Sequence, residues 1–181
     1  MPDKTFQQYD NVIRSCREIF MTKNHDYGTA WRILRTSSIT DQIYIKASRI
    51  RSIEEKGKSK VDEGIRPEFI GMINYSVMAL IQLEIGTAEE AHMDAEIVGA
   101  KFDSFVSKAR NLMADKNHDY SEAWRQMRIS SLTDIILMKL LRIKQIEDNN
   151  GLTLMSEGLD ANYLDIINYS AFALIMLDQK N

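Results

Sequence analysis

An internal repeat covers almost the whole chain and constrains the fold more than any other feature. The segment Lys-Asn-His-Asp-Tyr at residues 23–27 recurs at residues 116–120, and Ile-Asn-Tyr-Ser at residues 73–76 recurs at residues 167–170. The offset is 93 residues up to Glu54 and 94 residues after the following loop, and 19 of the 33 positions from 23 to 55 are identical in the second copy. Because each copy must form a similar unit, we predict two repeats, residues 1–86 and 87–181, packed as one globular unit.

Helical periodicity dominates both copies. Only two prolines and eight glycines interrupt the 181 residues, and apolar residues recur every three or four positions rather than alternating with polar ones. In the first copy this spacing predicts helices near residues 5–22, 30–34, 37–55 and 67–84, with a loop at residues 23–28. The expected fold is all-α, a tandem duplication of a four-helix unit that packs as a pseudo-twofold helical bundle, as a fused dimer would.

Capping signals and apolar stripes locate individual helices. Ser38 with Asp41 predicts the start of the third helix, and Thr87 with Glu90 predicts a helix that joins the two copies. Pro67 suits the first turn of the fourth helix. The apolar stripe expected to bury the first helix consists of Val12, Ile13, Cys16, Ile19 and Phe20.

The bulk properties exclude several classes of protein. A net charge of −3 and a pI near 5.7 leave no basic excess for phosphate backbones, so we expect no direct binding to nucleic acid. A single cysteine, Cys16, excludes an intrachain disulfide framework and a Cys-rich zinc site. The N-terminus does not resemble a signal peptide, and no run is apolar enough for a membrane span. We therefore predict a cytoplasmic protein, a monomer with an internal pseudo-dimer or a homodimer.

Polar residues retained in both copies are the candidates for a functional site. Each also has a structural interpretation: the 23–27 segment can close a helix, tryptophan can belong to the core, Lys and Arg stems can cover it, and buried asparagine can tie two helices together. Alternatively, the cations hold phosphate and the aromatic rings pack a base. The candidate nucleotide-binding residues are Lys23, Asp26, Tyr27, Trp31, Arg32, Lys46, Arg49, Asn74 and Tyr75, with their copies Lys116, Asp119, Tyr120, Trp124, Arg125, Lys139, Arg142, Asn168 and Tyr169.

Three carboxylates are candidate ligands for Mg²⁺. Glu63 and Glu157 precede the last helix of each copy, and Asp165 lies on that helix one turn before Asn168. Oxygen ligands of this kind suit magnesium, whereas an acid at a helix start also stabilises the positive end of the helix dipole. The Lys-Asn-His-Asp-Tyr segments contain one histidine each, His25 and His118. A single histidine in each segment makes no recognisable metal-binding spacing.

The acidic residues differ between the two copies. Asp165 corresponds to Gly71, and Glu68 corresponds to Asn162. The two halves therefore need not be equally competent in any metal-dependent reaction.

The retained motifs resemble one family. The string Lys-Asn-His-Asp-Tyr-x-x-Ala-Trp-Arg, followed by Ser-x-Thr-Asp, Lys-x-x-Arg-Ile, Glu-Gly and Ile-Asn-Tyr-Ser, is similar to the nucleotide modification associated domain family, type one, in two tandem copies. More distantly the layout resembles MazG-like all-alpha nucleoside triphosphate pyrophosphohydrolases, which hold magnesium with a Glu-x-x-Glu pair and a Glu-x-x-Asp pair. This sequence lacks the first pair in both copies, and Asp165-x-x-Asn168 is a degenerate form of the second.

Two hypotheses for the function follow from the residues and the resemblance. The first is a nucleotide-binding protein that acts as a Mg-dependent nucleoside triphosphate pyrophosphohydrolase in nucleotide metabolism or modification, with magnesium as cofactor. The alternative is a non-catalytic helical module that binds or sequesters a nucleotide, or that has a purely structural role.

Overall fold

The computed structural model describes residues 2–57, 64–153 and 157–180, and within these ranges the chain forms helices and no strands. The predicted all-α fold is therefore confirmed. The six α-helices of the described ranges are α1 (Pro2–Tyr27), α2 (Thr36–Lys56), α3 (Arg66–Ile85), α4 (Ala95–Tyr120), α5 (Ile129–Asp148) and α6 (Leu159–Asp178). Short 3₁₀ helices at Ala30–Ile33 and Ala123–Gln126 follow α1 and α4.

Helices α3 and α6 form the centre of the bundle. They pack against each other, α2 and α5 pack beside them and against one another, and α1 and α4 complete the outside. Both central helices bury residues on nearly every side, as expected for helices that are apolar all round. By length and composition α3 is apolar enough to cross a membrane, although we predicted no such run, but 67% of that stretch is buried inside the bundle.

Reciprocal contacts show that the two halves are related by a pseudo-twofold axis. The Thr40 hydroxyl donates to Glu147 Oε1 at 2.7 Å, and the corresponding Thr133 hydroxyl donates to Glu54 Oε1 at 3.0 Å. The threonine of each repeat is thus hydrogen-bonded to the glutamate of the other repeat. An interface in which residue i meets residue j and residue j meets residue i is the signature of twofold packing.

A second reciprocal set joins α1 to α4. Arg110 Nε lies 2.7 Å from Asp10 Oδ1, and Arg17 Nε lies 2.7 Å from Asp103 Oδ1. Both arginines make a second bond to the other carboxylate oxygen at 3.0 Å. These bidentate salt bridges lie at opposite ends of the interface between α1 and α4, as the twofold relation of the two helices requires.

The Lys-Asn-His-Asp-Tyr segments are the last turns of α1 and α4, which corrects the prediction of a loop at residues 23–28. Each helix continues to its tyrosine and ends at a residue in the left-handed region, Gly28 (φ 64°) or Ser121 (φ 51°). The backbone N–H of that residue donates to the carbonyl of Asn24 or Asn117. The polar residues of this segment are typical of a loop, but all of them can adopt helical backbone angles. The helix therefore ends only at the residue in the left-handed region.

Two capping predictions and one core prediction are also wrong. Helix α2 begins with Arg35 at its N-cap and no side-chain cap, so Ser38 and Asp41 lie inside it. Residues 87–94 are not helical, and α4 begins only after Asp94, whose carboxylate accepts from the Glu96 N–H at 2.8 Å. Ile19 is 36% exposed whereas the following Phe20 is only 3% exposed, because successive side chains point to different faces of α1 and only that of Phe20 faces the core.

Candidate functional site

The first repeat contains a cavity of about 1000 Å³ bordered by the end of α1, the first 3₁₀ helix, α2 and α3. It forms because α1 stops at Gly28 and the chain turns back, so that the 3₁₀ helix closes one side. The cavity brings together six of the predicted residues from these four elements. These are Lys23, Tyr27, Trp31, Lys46, Asn74 and Tyr75.

One face of α3 forms a wall of the cavity, and most residues of this face were not among the predicted nucleotide-binding residues. Glu68, Gly71, Tyr75 and Met78 all line the cavity, and their spacing of three and four residues places them along a single helix face. Of these only Tyr75 was a candidate. The helical spacing from Tyr75 is the signal that would have found the others.

Glu68 is the one carboxylate among the described residues that line the cavity, and it lies beside two cationic side chains. Lys46 Nζ lies 3.6 Å from Glu68 Oε2, and Arg49 Nη1 lies 2.6 Å from Glu68 Oε1. Arg49 therefore holds Glu68 rather than lining the cavity itself. Lys23 makes no ion pair within the part of the chain that the structure describes. The cavity thus presents more cationic groups than its single carboxylate neutralises.

Gly71 makes room for the side chain of Lys46 on the surface of α3. A Cβ atom at position 71 would lie 2.7 Å from Lys46 Cε, so the absence of a side chain lets the lysine stem lie across α3. The ammonium group also lies 5.6 Å from the centre of the Tyr75 ring, which is within reach of a cation–π interaction.

Aromatic side chains occupy both the interior and the mouth of the cavity. Trp31 is 9% exposed and its ring centre lies 6.4 Å from that of Phe20. Tyr27 is 77% exposed at the end of α1. A buried indole that still borders empty space can offer a flat surface to a planar ligand, and an exposed tyrosine can close over it.

The equivalent place in the second repeat is filled with its own charged side chain. Asp165, which corresponds to Gly71, lies 2.7 Å from Lys116 Nζ and 2.9 Å from Lys139 Nζ. Burial alone would lower the pKa of Lys116, but the hydrogen bond and charge of Asp165 outweigh it and raise that pKa. Arg142 makes no ion pair within the described ranges, because Asn162 stands where the first repeat has Glu68.

The tryptophan of the second repeat is covered by a phenylalanine. Phe172 stacks on Trp124 with ring centres 4.2 Å apart and planes 5° apart. Tyr169 meets the same Phe172 edge to face at 6.3 Å. In the first repeat the position of Phe172 is Met78, which lines the cavity instead.

The predicted arginines of the 3₁₀ helices have structural contacts. Arg32 is buried and donates to the Gln82 side chain and to the Gly86 carbonyl, the latter at 2.8 Å. Burial lowers the pKa of Arg32. Its copy Arg125 donates to Gln8 at 2.9 Å and lies 4.3 Å from the Trp124 ring. Neither arginine is brought to the cavity of the first repeat.

The aspartates and one tyrosine of the repeated motif lie at the surface. Asp26 pairs with His25 and Asp119 pairs with His118, each at 3.2 Å between exposed side chains. Tyr120 is 72% exposed. The two aspartates form local pairs at the helix ends, and neither they nor Tyr120 line the cavity of the first repeat.

The two asparagines of the central helices tie helices together. Asn74 Nδ2 donates to the Cys16 carbonyl at 3.1 Å, and Asn168 Nδ2 donates to the Ala109 carbonyl at 2.9 Å. Each bond joins a central helix to the outer helix of its own repeat. Asn74 both makes this bond and lines the cavity.

The predicted magnesium ligands do not form a metal site in the described part of the chain. Glu63 lies outside the described residues, Glu157 is exposed, and both oxygens of Asp165 face lysine ammonium groups. Two cations beside a carboxylate oppose the binding of a third. Within the same ranges no group of three or more His, Cys, Asp or Glu side chains is placed to hold a metal ion.

Comparison with known proteins agrees with the duplicated architecture. Searches of curated proteins and of solved structures found no match. The model of the family described as nucleotide modification associated domain 1 matches residues 23–83 and again residues 116–177, more than half of the chain. Both matches begin at the Lys-Asn-His-Asp-Tyr segment and include the central helix of the repeat. The chain therefore belongs to the nucleotide modification associated domain 1 family and carries two copies of its domain.

Proposed function

We propose that the cavity of the first repeat binds a nucleotide. The observation that carries this proposal is the placement of Lys23 and Lys46 beside Trp31 and Tyr75 in one cavity. Lysine provides a point charge for a phosphate, and an indole or phenol provides a flat apolar surface for a base. The two kinds of group are the two halves of nucleotide recognition.

The size and charge of the cavity support the same ligand class. A volume of about 1000 Å³ is at the upper end of the range that holds a small organic molecule. Lys46 is balanced by Glu68 and Arg66 by Asp178, whereas Lys23 is unpaired within the described residues. An anionic ligand is therefore favoured over a neutral one. The family description, which names nucleotide modification, is consistent with such a ligand.

A Mg-dependent nucleoside triphosphate pyrophosphohydrolase is the second candidate, and Glu68 is the observation that favours it. Magnesium in nucleotide sites is commonly held by one or two carboxylates together with the phosphates of the substrate. Glu68 is the described carboxylate that lines the cavity, so it is the residue that would contribute to such a complex. Its present partners, Lys46 and Arg49, compete with that role, and binding without hydrolysis therefore ranks first.

The test is incubation of the whole chain with a mixed pool of ribo- and deoxyribonucleoside mono- and triphosphates, with magnesium and separately with EDTA. Equilibrium dialysis followed by anion-exchange chromatography measures both what is retained and what is converted. Retention of particular nucleotides that survives EDTA supports the binder. Release of pyrophosphate and monophosphate only with magnesium supports the hydrolase, and an unchanged, unretained pool contradicts nucleotide binding.

Lys23→Gln should weaken nucleotide retention about tenfold or more, because hydrogen bonds to charged groups contribute roughly 1.5–3 kcal/mol. The matched control is Lys4→Gln, which removes the same charge from an exposed position on the same helix. Equal affinities of the two variants would contradict the assignment of Lys23. Both variants should keep the wild-type melting temperature, since Lys23 has no ion pair to lose in the described structure.

A further inference from the structure

We propose that the second repeat carries its own substitute for the ligand, with the Asp165 carboxylate in place of the anionic group and the Phe172 ring in place of the base. This inference rests on the proposed function, and it adds a ligand class, a binding mode and a stoichiometry. The ligand is a nucleoside 5′-phosphate whose phosphate lies between Lys23 and Lys46 and whose base stacks on Trp31. One molecule binds to each chain.

The charges of the two repeats carry the first step. The lysines at equivalent positions are Lys23 with Lys116 and Lys46 with Lys139. In the second repeat both lysines converge on the Asp165 carboxylate, which is only 4% exposed. In the first repeat Gly71 removes that carboxylate. The Lys46 stem lies across Gly71 instead, and its ammonium group lies 3.6 Å from Glu68. A phosphate oxygen between Lys23 and Lys46 would give these two lysines the shared anion that their copies have.

The aromatic rings carry the second step. Phe172 lies parallel to Trp124 at 4.2 Å, which is the arrangement a base would adopt on an indole. The first repeat has Met78 at this position, and both Met78 and Trp31 border the open cavity. Methionine is flexible and fills irregular space, so it can yield to a flat ligand where phenylalanine cannot.

The spacing of the two substitutes carries the third step. Asp165 and Phe172 are seven residues apart on α6, which corresponds to about 10.5 Å along the helix axis and nearly two full turns. They therefore project from the same face, and the carboxylate and the ring lie in line along it. Charge and ring are lost together at the corresponding positions of α3, which is what a vacated ligand site requires.

Paired substitutions that exchange these residues between the repeats test the inference. Asp165→Gly with Phe172→Met opens the second repeat, and Gly71→Asp with Met78→Phe closes the first. Each protein is titrated calorimetrically with the common ribo- and deoxyribonucleoside 5′-phosphates one at a time. Circular dichroism and a thermal melt check that the helical content of each variant is retained.

We expect one equivalent of nucleoside 5′-phosphate for the wild type, two for the opened variant and none for the closed variant. Asn162 replaces Glu68 beside the new site, so the opened second site should bind at least as tightly as the first. If the opened variant does not fold, the closed variant still decides the matter, because it fills the first site and leaves the second repeat unchanged.

Failure of this inference is distinguishable from failure of the proposed function. Three results would each overturn the inference that Asp165 and Phe172 replace a ligand. They are two bound nucleotides per chain in the wild type, only one in a folded opened variant, and undiminished nucleotide affinity in the closed variant. In those cases loss of binding in Lys23→Gln would still support nucleotide binding by the first repeat. A wild type that binds no nucleotide would overturn both.

Discussion

Asn74 and Asn168 are the same residue at equivalent positions with different hydrogen-bonding environments. Both donate to a backbone carbonyl of the outer helix. Asn168 Oδ1 also accepts from the Tyr9 hydroxyl at 2.7 Å, whereas Asn74 Oδ1 is buried and has no hydrogen-bond partner among the residues that the structure describes. The counterpart of Tyr9 is Phe102, which has no hydroxyl to offer. Single residues thus decide how well each copy of a shared motif satisfies its polar atoms.

Tyr9→Phe should lower the free energy of unfolding by about 1–3 kcal/mol, because it leaves the buried Asn168 oxygen unsatisfied. Chemical denaturation of the variant and the wild type measures the difference. The control is Tyr44→Phe, which removes a hydroxyl with no hydrogen-bond partner in the described structure. A loss for Tyr9→Phe no larger than the control's would show that this bond contributes little.

At the level of the elements, the contact of α2 with α5 is the most symmetrical feature of the fold. The two Thr–Glu bonds cross it in opposite directions, and the Thr40 hydroxyl also lies 2.5 Å from that of Tyr163. Burial raises the pKa of both Glu54 and Glu147, although the threonine bonds oppose this effect. The carboxylates therefore fix the register of the two helices at an electrostatic cost near neutral pH.

Glu54→Gln with Glu147→Gln should raise the melting temperature at pH 7, because an amide oxygen still accepts from threonine and carries no charge to desolvate. A carboxyl whose pKa is raised in the folded state binds protons more tightly there, so its contribution to stability is lost as pH rises through the folded pKa. The gain should therefore shrink toward zero below the ordinary Glu pKa of about 4.3.

Thermal melts at pH 4 and pH 7 measure this difference, and Glu55→Gln is the control because Glu55 is exposed beside Glu54. A gain that is equal at the two pH values, or equal to the control's, would show that desolvation of the two carboxylates is not its source.

At the scale of the whole molecule, the two repeats share one core rather than having one each. Helices α3 and α6 make their most extensive contact with each other, and their central residues, such as Ile73 and Ile167, are fully buried. Each repeat alone would expose the apolar face that the other covers. The pseudo-twofold contact is therefore required for stability as well as being a trace of duplication.

Residues 1–86 produced alone should not form a folded monomer, because the face of α3 that meets α6 would be open to water. We expect either a homodimer that reproduces the twofold contact or a largely unfolded chain. Light scattering after size-exclusion chromatography, with circular dichroism on the same sample, distinguishes these states. A helical, monomeric fragment that melts cooperatively would contradict the shared core.

The sequence alone determined the helical class, the duplication and the approximate extents of the helices, because these depend on local periodicity and on similarity between the copies. It also identified Lys23, Trp31 and Lys46 as retained. It misplaced the end of α1 at Thr22, since a polar run and a helix end look alike until the left-handed residue is located. Helix starts such as that of α4 were missed for a related reason: several residues near it can cap.

Only the tertiary structure decided which retained residues share a site. The sequence gives Arg32 and Lys46 the same standing, but packing buries the first against Gln82 and brings the second to the cavity. The sequence alone showed that Gly71 in the first repeat corresponds to Asp165 in the second. The consequence of this difference, an open space in one repeat and two satisfied lysines in the other, depends on distances between side chains of separate helices, which no local pattern encodes.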